Sequence, residues 1–168
     1  MICWREKEDC MSEAEYHLAQ INIATLRYPL DHLEMASFVA RLEEVNALAD
    51  TAPGFVWRLQ DESGDATAIN AYADDNILIN MSVWQSIDAL FDFSYRSAHA
   101  ELLRDRKQWF EAPREAFLAL WWVDAGHIPG AGEGVARLEH LRQHGPSDHA
   151  FTIKQRFSPT QSRNNPQS

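Results

Sequence analysis

Apolar and polar positions alternate along 17–27 (HLAQINIATLR). Ala19, Ile21 and Ile23 form one small or apolar face, and Leu18, Gln20, Asn22 and Ala24 form a mixed one. A period of two predicts a strand. The pattern then changes: Pro29 and Asp31 open a helix, with Asp31 as N-cap and Glu34 three residues on, the spacing of a capping box. Met35, Phe38, Val39, Leu42, Val45, Leu48 and Ala49 repeat at helical spacing until APG (52–54) stops the run. GFVWRLQ (54–60) predicts a second strand, DESGD (61–65) a turn, and ATAINAY (66–72) a short strand or a loop. ILINMSVW (77–84) is a further strand, with Ile77, Ile79, Met81 and Val83 on one face and Leu78, Asn80, Ser82 and Trp84 on the other. Ser86 caps a helix expected over 87–110. EAFLALWWV (115–123) does not alternate, as expected of a central strand buried on both faces. A third helix is expected over 133–144 on the stripe Val135, Leu138 and Leu141, ended by GP (145–146). HAFTIKQRF (149–157) alternates as a last strand.

This order predicts an α+β fold, a ferredoxin-like βαββαβ unit with a C-terminal α-β extension. Helices should cover one face of an antiparallel sheet, the all-apolar one, and the other face, which carries Trp, should be a dimerisation or ligand surface. One domain is expected over 16–157. Residues 1–15 read as a disordered leader and 158–168 (SPTQSRNNPQS) as a disordered tail.

Composition narrows the partners. A formal net charge of −10 and a pI near 5.0 argue against nucleic acid and against an anionic membrane surface, both of which need clustered Lys and Arg. Cys3 and Cys10 lie in the leader, too far apart for a zinc knuckle and with no second Cys/His pair close by, so a reducing cytoplasm is expected. The leader lacks the apolar core of a signal peptide, and no apolar run approaches the ~18 residues of a spanning helix.

Candidate chemistry gathers on the expected helix 87–110. At ~100° per residue, Ile87, Phe91, Ser94, Ala98, Leu102 and Trp109 share a narrow stripe. Tyr95, Arg106 and His99 lie at its border. His99 and Arg106 stand two turns apart, ~10.5 Å along the axis, so they suit opposite ends of one elongated cavity. Asn22, Asn80, Ser82 and Trp84 on the mixed strand faces supply a floor of flat aromatic area with orienting polar groups. Plainer roles stand beside these. His99 could hydrogen-bond a neighbouring strand, Arg106 could pair with Asp105, Glu101 or a neighbouring strand, and the two Asn residues could cap a sheet edge or bridge to water. Trp121 and Trp122 read as core and interface, or as a stacking platform. His140 and His144 have the i, i+4 spacing of a metal pair but fall opposite the third helix's apolar stripe, and His127 sits in a Gly/Pro loop with no ligand spacing. No G-x-S-x-G, Walker A or Rossmann pattern occurs. Any chemistry must rest on an imidazole, a few donors and a dry cavity, with no metal.

HLAQINIATLRYPLDH, GFVWRLQDESGDATAI, SVWQSIDALFDFSYRSAH, RKQWF and LWWVDAGHIPGAGEGVARLEHLRQHGPSDHAFT together resemble the bacterial domain-of-unknown-function family 3291, over roughly residues 16–157. The resemblance implies the dimeric α/β barrel superfamily, whose ferredoxin-like sheets pack face to face in a homodimer. VWQSIDALFDFSYRSAH is also similar to the antibiotic-biosynthesis monooxygenases, which need no cofactor. That likeness implies a catalytic set of Asn22, Trp84 and His99; the pocket read from the residues adds Asn80, Tyr95, Arg106, Trp109 and Trp122 as groups that bind a small, largely planar aromatic or phenolic ligand. The implied activity is cofactor-independent oxygenation. The alternatives are a non-catalytic ligand-binding or stress-related dimer and a haem-binding protein. Haem-degrading relatives carry a Trp inside the helix, where this chain has Phe91 and Phe93.

Overall fold

A computed structural model of the chain describes residues 15–62, 64–67 and 69–159. The leader, but for Glu15, and the tail from 160 onward therefore lie outside the described residues. Four antiparallel strands form one sheet in the order β2-β3-β1-β4: β1 Tyr16–Thr25, β2 Phe55–Arg58, β3 Ile77–Trp84 and β4 Leu118–Asp124. The helices are α1 Ala36–Asp50, α2 Ile87–Arg96, α3 His99–Asp105 and α4 Ala131–His144. The ββ and βα connections and the central β1–β3 pair make this a ferredoxin-like α+β fold, as the sequence pattern predicts.

The two sheet faces are covered differently from the expected arrangement. In the register Gln20↔Ser82 and Asn22↔Asn80, the mixed faces of β1 and β3 come together, and α1, α2 and α3 roof this polar side. The all-apolar side (Ala19, Ile21, Ile79, Met81, Val83, Ala119 and Trp121) takes α4 through Leu138 and Leu141, with Tyr72 and Leu59 of the β2–β3 connection packed beside it. Its core side chains are at most 9% exposed within the single chain. A twin copy is thus not needed to close the sheet's reverse. Gly134 allows α4 to approach so closely: a Cβ there would lie 2.7 Å from Met81 Sδ.

Several local expectations change. The α1 entrance is capped by His32, whose Nδ1 accepts from Glu34 N–H at 3.2 Å, and a 3-10 turn (Leu33–Met35) precedes the helix; Asp31 is not the cap. Ser86 caps α2 as predicted, accepting from Ala89 N–H at 3.1 Å. The long helix expected over 87–110 is broken at Ser97, which is extended (φ −111°, ψ −179°). One hydroxyl closes α2 and opens α3, donating to the Phe93 carbonyl and accepting from His99 N–H at 3.2 Å. Short polar side chains compete in this way with the helical ladder.

No strand forms over 149–157. Phe151 makes a single antiparallel bridge to Leu120, with mutual backbone bonds of 2.8 and 2.9 Å, and its ring is fully buried. β4 is therefore an edge strand by order, not a central one. Its unbroken apolar run reflects α4 on one face, the cavity side on the other and Phe151 over its free edge, a common way of blunting an edge. The described part of 66–72 is loop.

Candidate functional site

Between the polar sheet face and the helices α1–α3 lies a cavity of about 290 Å³. Its walls follow directly from the helical periods: Phe38, Leu42, Val45 and Ala49 of α1, Ile87, Leu90, Phe91 and Ser94 of α2, and His99, Leu102 and Leu103 of α3. Its floor is a cross-strand polar ladder. Gln20 Nε2 donates to Asn80 Oδ1 at 2.8 Å and to Ser82 Oγ at 2.9 Å. Asn22 Nδ2 donates to Gln20 Oε1 at 3.2 Å and to Asn80 Oδ1 at 3.5 Å. Trp84 Nε1 donates to Ser82 Oγ at 2.8 Å.

Counting donors shows what remains for a ligand. Both amide protons of Gln20 and both of Asn22 are spent, and so is the indole N–H of Trp84. Asn80 receives at Oδ1, which leaves its amide N–H₂ without a partner among the described residues. Ser82 receives twice at Oγ, which leaves its hydroxyl proton to donate. Gln20 and Ser82 are buried, and the ladder is what allows polar groups there. Gln20 is a site residue that sequence reasoning missed: alternation puts it on the mixed face beside Asn22, but its place opposite Ser82 is visible only once the register is known.

His99 is half-buried on the cavity wall, its ring centroid 4.9 Å from that of Phe93. Phe93 in turn stacks 5.1 Å from Trp84, itself buried. Burial pushes the imidazole below its ordinary pKa, against a smaller opposing effect of the Ser94 carbonyl. Nδ1 lies 3.4 Å from that carbonyl oxygen. With Nδ1–H turned to Ser94, Nε2 keeps its lone pair and has no partner among the described residues. The ring is then a neutral base facing an apolar chamber.

Arg106 lies at the cavity end beyond α3, its guanidinium 4.9 Å from the centre of the Phe117 ring. Asp105, one of the carboxylates the sequence offers it, is paired with Arg41 of α1 at 3.0 Å and with Arg104 at 3.6 Å. The Leu26–Phe110 bridge and the Arg27 N–H to Trp109 carbonyl bond of 2.9 Å pin this end of the chain against β1. The other guanidinium in the lining, Arg58, is fully engaged: Asp50 at 2.7 and 3.2 Å and the Gly64 carbonyl at 2.7 Å.

Asn22, Asn80, Trp84, Tyr95, His99, Arg106 and Trp109 all line the one cavity. Tyr95 is 50% exposed and its ring lies tilted 4.7 Å from that of Phe91, so the mouth opens beside α2. Trp109 is buried, and its N–H is taken by Ser37 Oγ at 3.0 Å. Trp122 lies outside the cavity lining: its N–H is held by the Phe157 carbonyl at 2.7 Å and it packs near Phe151. Trp121 faces α4, donating to Glu133 at 3.1 Å. His140, His144 and His149 cluster with ring centroids 4.3 and 4.4 Å apart, yet no group of three or more His, Cys, Asp or Glu among the described residues is placed to hold a metal ion. No helix there is long and apolar enough to cross a membrane.

Fold and site together define a ferredoxin-like α+β protein with a helix-roofed cavity on the polar face of its sheet. The chain belongs to DUF3291, a domain of unknown function, whose family model matches residues 17–167. No curated protein matches it. Among solved structures it is similar to NE2512, a protein of unknown function from Nitrosomonas europaea, at 12% identity over 70% of this chain and 98% of that one, with a TM-score of 0.43. It is similar also to a mutant form of SnoaB, a cofactor-independent oxygenase from Streptomyces nogalater, at 15% identity over 68% and 97%, with a TM-score of 0.43. A monooxygenase from the gene ActVA-Orf6 of Streptomyces coelicolor, solved with nanaomycin D, matches at 14% over 68% and 92%, with a TM-score of 0.40.

Proposed function

We propose that the chain binds a planar aromatic molecule in this cavity and oxygenates it without metal or flavin, with His99 as the base. The observation that carries this reading is the His99 imidazole on the wall of a largely apolar chamber, its pKa lowered by burial, with Nδ1 3.4 Å from the Ser94 carbonyl oxygen and Nε2 without a partner among the described residues. At about 290 Å³ the chamber falls just below the ~300–1,000 Å³ range of ligand sites and suits a bicyclic or tricyclic ring system. Nε2 would take a proton from an activated CH₂ beside a phenol or ketone. The resulting enolate reduces dioxygen. The peroxide that forms at that carbon loses water, so the CH₂ becomes a C=O and the second oxygen atom leaves in water. Asn80 N–H₂ and the Ser82 hydroxyl, the donors left unspent by the ladder, would hold the enolate oxygen. This moves the oxyanion role from Asn22 to Asn80. Asn22 and Trp84 then act as positioning residues.

Oxygen uptake with an anthrone as substrate tests the scheme. Wild type should consume oxygen, and His99→Ala should lose at least ~10²-fold in rate. Equal rates contradict the base, while retention of unconverted ligand by both proteins in native mass spectrometry favours binding without chemistry. Haem suits these residues poorly, because the imidazole packs on Phe93 and the chamber is small for a tetrapyrrole. A homodimer, expected from the superfamily resemblance, belongs to this proposal too. With α4 over the sheet's reverse, a second copy would have to meet another surface.

A further inference from the structure

The cavity's charge is opposite to that of the chain. The protein carries 25 Asp and Glu against 15 Lys and Arg, yet among the described residues no carboxylate lines the chamber. Its charged lining is two guanidiniums, and Asp50 neutralises one of them, Arg58, in two-pronged fashion. Arg106 is left as a cation with no carboxylate partner among the described residues, held in place by the face of Phe117. A guanidinium at the edge of an apolar chamber strongly favours a planar anion that it can meet with two parallel N–H donors. The nearest carboxylate in sequence, Asp105, is diverted to Arg41 on a different helix, so the fold itself withholds the partner.

We infer that the cavity selects an organic anion: a planar aromatic ligand whose carboxylate, sulfonate or comparable acidic group is seated on Arg106, with its ring system lying along the polar ladder toward His99. The inference rests on the proposal that the cavity binds a ligand at all, and adds the charge class of that ligand and the residue that reads it. Arg106 is then a specificity-determining residue. Two positions for negative charge would exist in one elongated site: the fixed acid at Arg106, and the oxygen that becomes anionic at Asn80 and Ser82.

A pair of fluorescent probes separates the two levels. 8-Anilinonaphthalene-1-sulfonate and N-phenyl-1-naphthylamine share one aromatic skeleton and differ by the sulfonate. Wild type should bind the sulfonate about tenfold more tightly, the worth of one charge-assisted contact. Arg106→Gln should bring the sulfonate down to the affinity of the neutral probe and leave the neutral probe within about twofold, which also shows that the variant folds. Arg106→Lys should recover part of the preference. Ala24→Phe, which fills the cavity floor, should abolish both. Equal affinities in wild type, or parallel loss of both probes in Arg106→Gln, overturns the anion assignment and leaves the cavity reading standing. Failure of either probe to bind wild type, or undiminished binding of both by Ala24→Phe, overturns both.

Discussion

His99 joins the site to the stability of the fold. Burial favours its neutral form in the folded chain, below the ordinary value of 6.5. Above pH 6.5 the ring is neutral whether the chain is folded or not, and the folded state has its full stability. As pH falls below 6.5, the unfolded ring takes up a proton that the folded ring still refuses, so stability declines until pH passes the depressed folded value. His149 and His140, both depressed chiefly by burial and then by neighbouring Arg137 or His144, add in the same direction. Urea midpoints should therefore fall between about pH 7.5 and 5, and less steeply in His99→Gln. Equal slopes would contradict the buried neutral ring. Gly54 is a second informative residue. Its φ is +79°, and a Cβ would stand 2.6 Å from Ala89 Cβ on α2. Gly54→Ala should cost at least ~2 kcal/mol in chemical denaturation, and Ala89→Gly should recover part of that in a double-mutant cycle. Additive losses would show that the two do not touch.

At the scale of elements, the break at Ser97 decides where His99 faces. A continuous helix over 87–110 follows from the apolar period and from Ser86, and Ile87, Phe91, Ser94 and Leu102 of that stripe do line the cavity, whereas α2 buries Leu90 and packs Phe93 beside it, neither of them part of the stripe. What periodicity cannot show is a hydroxyl that takes the Phe93 carbonyl and the His99 N–H for itself. Ser97→Ala should cost about 1 kcal/mol and weaken binding of the neutral probe, because α3 loses its starting bond. A variant with unchanged stability and binding would remove Ser97 from the site's architecture. The strands were more legible. Alternation placed Asn22 and Asn80 on one face, and their juxtaposition followed from the β1–β3 register. The segment 149–157 alternates as well, yet only Phe151 pairs. Burying one aromatic over the edge of β4 satisfies the same pattern with two hydrogen bonds, and a period of two does not distinguish the two outcomes.

For the whole molecule, the sequence pattern showed the strand order's building blocks but not which face the helices would choose. The expectation that helices seek the all-apolar face puts α1–α3 on the wrong side. In the structure that face goes to α4, and the mixed face becomes the lining of a chamber. Arg106 is similarly opaque: the sequence offers it Asp105 and Glu101 alike, and only the tertiary approach of Arg41 shows that Asp105 is taken. Because α4 already covers the sheet's reverse, oligomeric state is an independent question. Light scattering should give roughly twice the 19.2 kDa chain mass if the proposed homodimer forms, and a mass near one chain contradicts it.

The central claim is that the free nitrogen of His99 looks into a chamber that takes an aromatic guest. Carbon-13 spectra of the histidine Cε1–Hε1 groups, assigned with His99→Gln, test it during titration with N-phenyl-1-naphthylamine. The His99 resonance should move in step with the fluorescence isotherm, while His140, His144 and His149 stay still. Saturable dye binding with His99 unmoved would place the guest elsewhere and contradict the account.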